Sequence, residues 1–327
     1  MSSVVNVAIH VSQSPENVRR DLLASLRSRR VNQKFHYDSV KQTNKWLALH
    51  QAYAPSRNDT DCAATYDRAF AAATQHIKAK QVHLAGLGCG GGQKDTRLLK
   101  LLRAGGKAVS YTPSDVSMAM TLVAQQAAKQ VVKEDQIFPF VCDLATADDL
   151  ARVLATRHPS PVTRLVTFFG MIPNFEPQDI LPKLAKLIRR QDILLFSANL
   201  APGTDYAAGV AKILPQYDNE LTREWLLTFL LDLGVERGEG KLRFGVERGA
   251  DSLRRVMAQF YFKRACHFAV EGETFAFRRS ESIRLFFSYR YTPGLVRAEL
   301  AKHKLRVCDQ WITQSGEEGV FLCQRAM

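Results

Sequence analysis

Leu84-Ala-Gly-Leu-Gly-Cys-Gly-Gly-Gly-Gln-Lys94 is the stretch that decides how this chain is read. The apolar run Val82 to Leu87 leads directly into closely spaced glycines, and a helical pattern follows from Asp95 to Arg103. That order is strand, tight turn, helix. Glycines at such a turn let a ligand approach the backbone closely, so a pocket is expected near residue 88. A plain strand–helix connector is the other reading of the same residues.

Outward from this turn the pattern alternates. Expected strands are Val82–Leu87, Ala108–Thr112, Ile137–Cys142, Arg164–Phe169 and Asp192–Asn199, and expected helices 95–103, 117–130, 148–156 and 177–188 lie between them. Alternating strands and helices predict a mostly parallel sheet with right-handed crossovers and ligands at the carboxyl ends of its strands. The first sixty residues are mostly helical or loop-like, with Pro55 breaking a second helical stretch. Beyond Pro202 the pattern changes. A helix is expected from Tyr217 to Leu233, then a small antiparallel sheet from Val256–Tyr261, Ala265–Val270 and Thr274–Phe277. The chain ends in a helix, Pro293–Lys302, and two strands around Trp311 and Val320–Cys323.

Composition narrows the function classes. A chain of 327 residues with 46% hydrophobic residues makes one large domain or two modest ones. No apolar run approaches the about 20 residues of a membrane span, and Met1 to Ser14 lacks the pattern of a secretory signal. The six cysteines form no Cys-x-x-Cys pair or zinc spacing and read as reduced thiols of a cytoplasmic protein without a metal site. The net charge of +13 raises the question of an acidic partner. Its basic clusters, however, fall largely on amphipathic helical patterns where Lys and Arg form the solvated face, and no RNA-binding motif or zinc finger is present. A small-molecule substrate is therefore favoured over nucleic acid. No signal for an oligomeric state is present.

Three features line up at successive strand ends: the glycine turn Gly86, Gly88, Gly90; Asp115 in Tyr111-Thr-Pro-Ser-Asp-Val-Ser117; and Asp143 in Val141-Cys-Asp-Leu144. A carboxylate after the second strand suits the hydroxyls of a ribose, and one after the third can accept from an adenine amino group. Asp115 as a helix cap and Asp143 as a turn residue are the structural alternatives. Together the three favour an adenosine-containing cofactor. A P-loop is excluded because Lys94 is followed by Asp95. The run Gly86-Leu-Gly-Cys-Gly-Gly91 formally fits a dinucleotide fingerprint and keeps NAD open, while the acid after strand three favours S-adenosyl-L-methionine.

With these residues in place, the chain resembles the histidine-specific Nα-methyltransferases of the ergothioneine pathway. Lys34-Phe-His-Tyr-Asp38 is similar to that family's Lys-Phe-Phe-Tyr-Asp, and Tyr53-Ala-Pro-Ser-Arg-Asn-Asp59 to its Tyr-Tyr-Pro-Thr-Arg-x-Glu. Gly88-Cys-Gly90 with Lys94 matches Gly-Ser-Gly-x-x-x-Lys, and Tyr111 to Ser117 matches Tyr-x-Pro-x-Asp-Val-Ser. Phe169-Gly-Met-Ile-Pro-Asn-Phe175 is similar to Gly-x-x-Ile-Gly-Asn-Phe.

The resemblance implies an α/β fold: a class I, Rossmann-like methyltransferase sheet (residues 61–200 and 290–327) with a second, smaller α+β substrate-binding or lid domain (1–60 and 201–289). It implies S-adenosyl-L-methionine as cofactor, on Tyr37, Gly86, Gly88, Gly90, Lys94, Asp115, Ser117 and Asp143. Asn174 and Tyr217 would bind the carboxylate of an amino-acid substrate, Ser288 would touch its side chain, and Tyr37 and Tyr53 would close over the site.

The departures matter as much. The acidic residue of strand one is Gly86 here. In Ile283-Arg-Leu-Phe-Phe-Ser288 the family reads Ile-x-Thr-Glu-x-Ser, so the glutamate that holds the imidazole is replaced by Phe286. A phenyl ring offers no acceptor to an imidazole N–H. The expectation is an N-methyltransferase for an amino acid or derivative other than histidine. No general base is assigned; His36 and His267 are the nearest by context and read more simply as structural. Alternatives are an enzyme that transfers or cyclises the cofactor's aminobutyrate arm, a nucleic-acid methyltransferase, and a cofactor-binding protein without catalysis.

Overall fold

The computed structural model describes residues 4–156 and 162–326. In chain order its elements begin with β1 (Ala8–Ile9), α1 (Pro15–Ser28), α2 (Val40–Tyr53), α3 (Pro55–Asn58) and α4 (Thr60–His76). The alternating part follows: β2 (Gln81–Leu87), α5 (Gln93–Ala104), β3 (Ala108–Asp115), α6 (Met118–Ala128), β4 (Phe140–Val141), α7 (Leu150–Thr156), β5 (Thr163–Phe168), α8 (Pro177–Leu187) and β6 (Ile193–Asn199). Then come α9 (Tyr206–Ile213), α10 (Glu220–Asp232), β7 (Gly240–Arg248), β8 (Arg254–Phe262), β9 (Cys266–Val270), β10 (Glu273–Phe277) and β11 (Ser282–Arg290). α11 (Pro293–Lys302), β12 (Leu305–Ile312) and β13 (Glu318–Arg325) end the chain.

Eight strands form one sheet in the order β1-β4-β3-β2-β5-β6-β13-β12. It is parallel except for β13, which runs antiparallel to both β6 and β12. The alternating part starts at central β2, moves out through β3 to β4, which edge strand β1 flanks, and returns to β5 on the other side. The crevice at such a switch point is where open α/β sheets bind ligands. β2 is apolar apart from exposed Gln81 and buried His83, because both its faces are covered. Val82 and Leu84 pack with Tyr66, Phe70, Leu98 and Leu102 of α4 and α5. Ala85 and Leu87 pack with Ile180 and Leu184 of α8 on the opposite face.

A separate core joins α1, the turn Gln33–His36 and α10 to two small antiparallel sheets, β11-β8-β7 and β9-β10. The expected single small sheet is thus two, and Gly240–Arg248 is a strand that its mixed composition did not announce. Of the first sixty residues, β1 joins the edge of the large sheet while α1 packs in this second core. The helix expected from Tyr217 starts at Glu220, where the Asn219 side chain accepts from the Thr222 N–H; Tyr217 closes a 3-10 turn instead.

At the end of the sheet away from the glycine turn, Arg164 and Asp192 form a buried ion pair. The Asp192 carboxylate accepts from the Arg164 N–H (3.1 Å), Nε (3.0 Å) and Nη2 (2.7 Å), and from the Arg189 N–H (2.9 Å). Asp192→Ala would leave the Arg164 guanidinium buried and unpaired, which typically costs about 3–5 kcal/mol. Urea unfolding is expected to show a loss of that size, with cofactor affinity of the folded protein unchanged; a loss below 1 kcal/mol would refute this role of the pair.

Candidate functional site

A cavity of about 1070 Å3 lies over the carboxyl ends of β2, β3 and β5. Of the residues expected from sequence, Tyr37, Tyr53, Gly88, Gly90, Lys94, Asp115, Asn174, Tyr217, Phe286 and Ser288 line it; Gly86, Ser117 and Asp143 do not. α2 lies against one side, bringing Trp46 and His50 into the wall, and Tyr53 stands exposed at its margin.

The turn after β2 is built by glycine. Gly88 (φ +65°) and Gly90 (φ +52°) are left-handed, and a Cβ on Gly88 would stand 2.3 Å from the Met171 sulfur. Asp115 pins this turn: its carboxylate accepts from the Gly90 N–H (3.0 Å) and the Ser117 N–H (3.0 Å). The cap of α6 is Ser117, whose Oγ accepts from the Met120 N–H, so Asp115 is free of that duty and faces the cavity. Burial pushes the Asp115 carboxyl up to about 6.

The space that Gly86 leaves at the end of β2 is filled from α5. A Cβ on Gly86 would fall 2.0 Å from the Asp95 carboxylate, which lines the cavity from α5. Asp95 accepts from the Tyr111 hydroxyl (2.7 Å) and the Thr167 hydroxyl (2.8 Å), and burial pushes it up to about 6. Sequence reasoning missed this residue. Its signal was an aspartate next to Lys94 in a chain whose first strand lacks its acid. Lys94 itself is partnered by protein, donating to the Tyr66 hydroxyl (2.8 Å) with Glu318 at 3.8 Å.

Asp143 sits apart from the cavity, under the N-terminal segment. Its N–H donates to Ser12 Oγ (3.0 Å), one carboxylate oxygen accepts from the Ala145 N–H (2.9 Å), and the other lies 3.4 Å from the Lys34 ammonium. The contacts it makes are those of a turn residue anchored to the chain's first segments.

The other side of the cavity is aromatic and donor-rich. Asn174, in the turn after β5, donates to the Tyr37 hydroxyl (3.3 Å). Burial and the Asp115 charge push the Tyr37 phenol up, so it stays protonated. Phe286 packs on Tyr217 (ring centroids 6.1 Å) and Trp225 (5.7 Å). The Tyr217 hydroxyl donates to Ser288 Oγ (2.9 Å) and accepts from Arg290 (2.9 Å).

His36 is buried with Nε2 2.6 Å from the Leu285 carbonyl, away from the cavity, and His267 is exposed on β9. The histidine that does line the cavity is His50, stacked on Trp46; burial and the neighbouring Lys94 and Arg57 charges lower it to about 4, so it is neutral at pH 7.

Two predictions follow from this geometry. Gly88→Ala places a methyl against Met171 and forces a left-handed alanine; S-adenosylhomocysteine affinity, read by calorimetry, should fall at least about tenfold, left-handed strain alone costing about 1–2 kcal/mol. Unchanged affinity would show that the turn does not meet the ligand. Asp115 must be ionised to accept from two hydroxyls, and it protonates as pH drops through about 6. Affinity should therefore hold from pH 8 to 7 and weaken below 6, approaching about tenfold per pH unit for one proton. Asp115→Asn should flatten that slope; a wild-type profile level down to pH 5 would contradict it.

Residues 18–325 match the family described as histidine-specific methyltransferase, SAM-dependent. The N-methyltransferase imqF of Aspergillus flavus is 25% identical over 282 residues, 83% of this chain and 74% of that protein. The CcbJ methyltransferase of Streptomyces caelestis is 14% identical with a TM-score of 0.40, covering 80% of this chain and 94% of that one. The 1,6-didemethyltoxoflavin-N1-methyltransferase of Burkholderia thailandensis, solved with S-adenosylhomocysteine, is 10% identical with a TM-score of 0.39, covering 87% and 91%. The family match spans both the sheet that carries the glycine turn and the segments that complete the other side of the cavity, and this chain belongs to the histidine-specific, S-adenosylmethionine-dependent methyltransferase family.

Proposed function

We propose that this enzyme methylates the amine nitrogen of an amino acid or amino-acid-derived small molecule other than histidine. The observation that carries the reading is Phe286. It lines the cavity beside Tyr217 and Trp225 where the family pattern has a glutamate, so at that position an imidazole N–H meets a phenyl ring, which offers no acceptor. The imqF relative, named an N-methyltransferase, supports nitrogen as the methylated atom.

The residues present suit the cofactor: the left-handed glycines Gly88 and Gly90 bring bare backbone to the cavity wall, and Asp115 and Asp95 supply carboxylates beside it. S-adenosylmethionine supplies an electrophilic methyl group when bound. Gly88, Gly90 and Asp115 would hold its nucleoside part, with Asp95 in place of the strand-one acid for its ammonium end. The protein's remaining task is positioning, since an in-line transfer depends mainly on alignment of the reacting atoms. Asn174 and Tyr217 would orient the acceptor by its carboxylate. Tyr37, Trp46 and Tyr53, on the N-terminal segment, would cover the site and exclude water. An amine must lose its proton before it attacks, and the rings of Tyr37, Trp225 and Phe286 suit a methylated ammonium by cation–π contact.

The reading is tested by mass spectrometry of the enzyme with methyl-labelled S-adenosylmethionine and a panel of amino acids and their derivatives. The expected products are S-adenosylhomocysteine and an N-methylated acceptor, with L-histidine unmodified. Methylthioadenosine as the sole cofactor product would overturn methyl transfer, and efficient methylation of L-histidine would overturn the role given to Phe286.

A further inference from the structure

β11 carries a bulge between Arg284 and Phe286, so that Leu285 and Phe286 both point into the second core's side of the strand. From there the strand alternates regularly, and Phe286, Ser288 and Arg290 come to share the face that lines the cavity. Arg290 is only 6% exposed. Its Nη1 donates to the Leu200 carbonyl (3.2 Å), its Nη2 donates to the Tyr217 hydroxyl (2.9 Å), and its Nε has no hydrogen-bond partner. Among the described residues, no carboxylate forms an ion pair with this guanidinium. The two acids of the neighbouring cavity wall are engaged elsewhere: Glu317 accepts from Gln216 (3.0 Å) and Glu318 from Tyr66.

The hydrogen bonds here have a direction. A guanidinium can only donate, so the Tyr217 oxygen accepts and its proton goes on to Ser288 Oγ (2.9 Å). Ser288, 1% exposed, thereby keeps a hydroxyl proton for which no acceptor is present among the described residues. The cluster thus places a nearly buried positive charge in the cavity wall, over the Tyr217 ring at 5.4 Å, and among the described residues no carboxylate neutralises it. A buried charge without a partner is costly, and an arginine fork matches a planar carboxylate.

We propose that Arg290 and Ser288, positioned by Tyr217, join Asn174 as the seat of a carboxylate on the methyl acceptor, and that Arg290 is the charge that makes the enzyme select acids over their decarboxylated amines. This rests on the reading of the cavity as an acceptor site, and it moves Ser288 from the acceptor's side chain to its carboxylate. The neighbouring Phe286 and Trp225 favour an aryl or other apolar group next to that carboxylate.

The test is binding, kept separate from turnover. Full-length protein saturated with S-adenosylhomocysteine is titrated with phenylacetate and with its neutral isostere phenylacetamide, and cavity occupancy is read from tryptophan fluorescence. Wild type should bind phenylacetate at least about tenfold more tightly than phenylacetamide; Arg290→Gln should remove that preference and Arg290→Lys should keep part of it. S-adenosylhomocysteine affinity, unchanged in either variant, reports that the fold is intact. Equal binding of the two probes by wild type, no binding of either, or a preference that survives in Arg290→Gln overturns the proposal. Carboxylate binding without any methylated product would instead overturn the functional reading and leave this seat standing. Methylation of an amine and its parent acid at equal KM would overturn the seat alone.

Discussion

The Asp95 carboxylate lies across the end of β2 at Gly86, held by Tyr111 from β3 on one side and Thr167 from β5 on the other. It can do so only because position 86 has no side chain; a Cβ there would overlap it. This bond set ties the three central strands together at the point where the chain reverses its direction across the sheet, and it sets the start of α5 against the glycine turn. Asp115 then fixes the turn itself through the Gly90 N–H. Both carboxyls are buried, and both bear the desolvation that raises their pKa to about 6. The cofactor end of the cavity is therefore acidic, pre-formed and held by β-strand ends.

The opposite end has the reverse chemistry. There the wall is β11, and its charge is the Arg290 guanidinium with the Tyr217 and Ser288 hydroxyls in line. Aromatic rings of Phe286, Trp225, Tyr37 and Trp46 separate the two ends. One cavity thus has carboxylates at one end and a guanidinium at the other, with an apolar stretch between. Polarity of this kind orients two ligands relative to each other without any moving part, which is what an in-line transfer needs.

Much of this was legible along the chain. The apolar run into glycines and the regular alternation from Val82 to Asn199 are local patterns, set by side-chain period and by residues that only glycine can replace. They placed the sheet, the turn and Asp115. Asp143 shows where such reading stops: its sequence context matches an adenine-side acid, yet Ser12 and Lys34, distant in the chain, draw it into a packed turn. His50 and Arg290 carried no motif. Neither a histidine in a helix nor an arginine in a strand signals a site until packing brings it into the cavity wall. The β11 bulge likewise has no signature, because it depends on register with β8.

By itself the sequence determined the strand–turn–helix unit and the order of the α/β elements, since each follows from the conformational range or the chemistry of single residues. The tertiary structure alone decided which charges are buried together. That Asp95 takes the space left at Gly86, that Asp143 leaves the cavity and that Arg290 enters it uncompensated are consequences of long-range packing, where burial rather than residue type sets the strength of an electrostatic interaction.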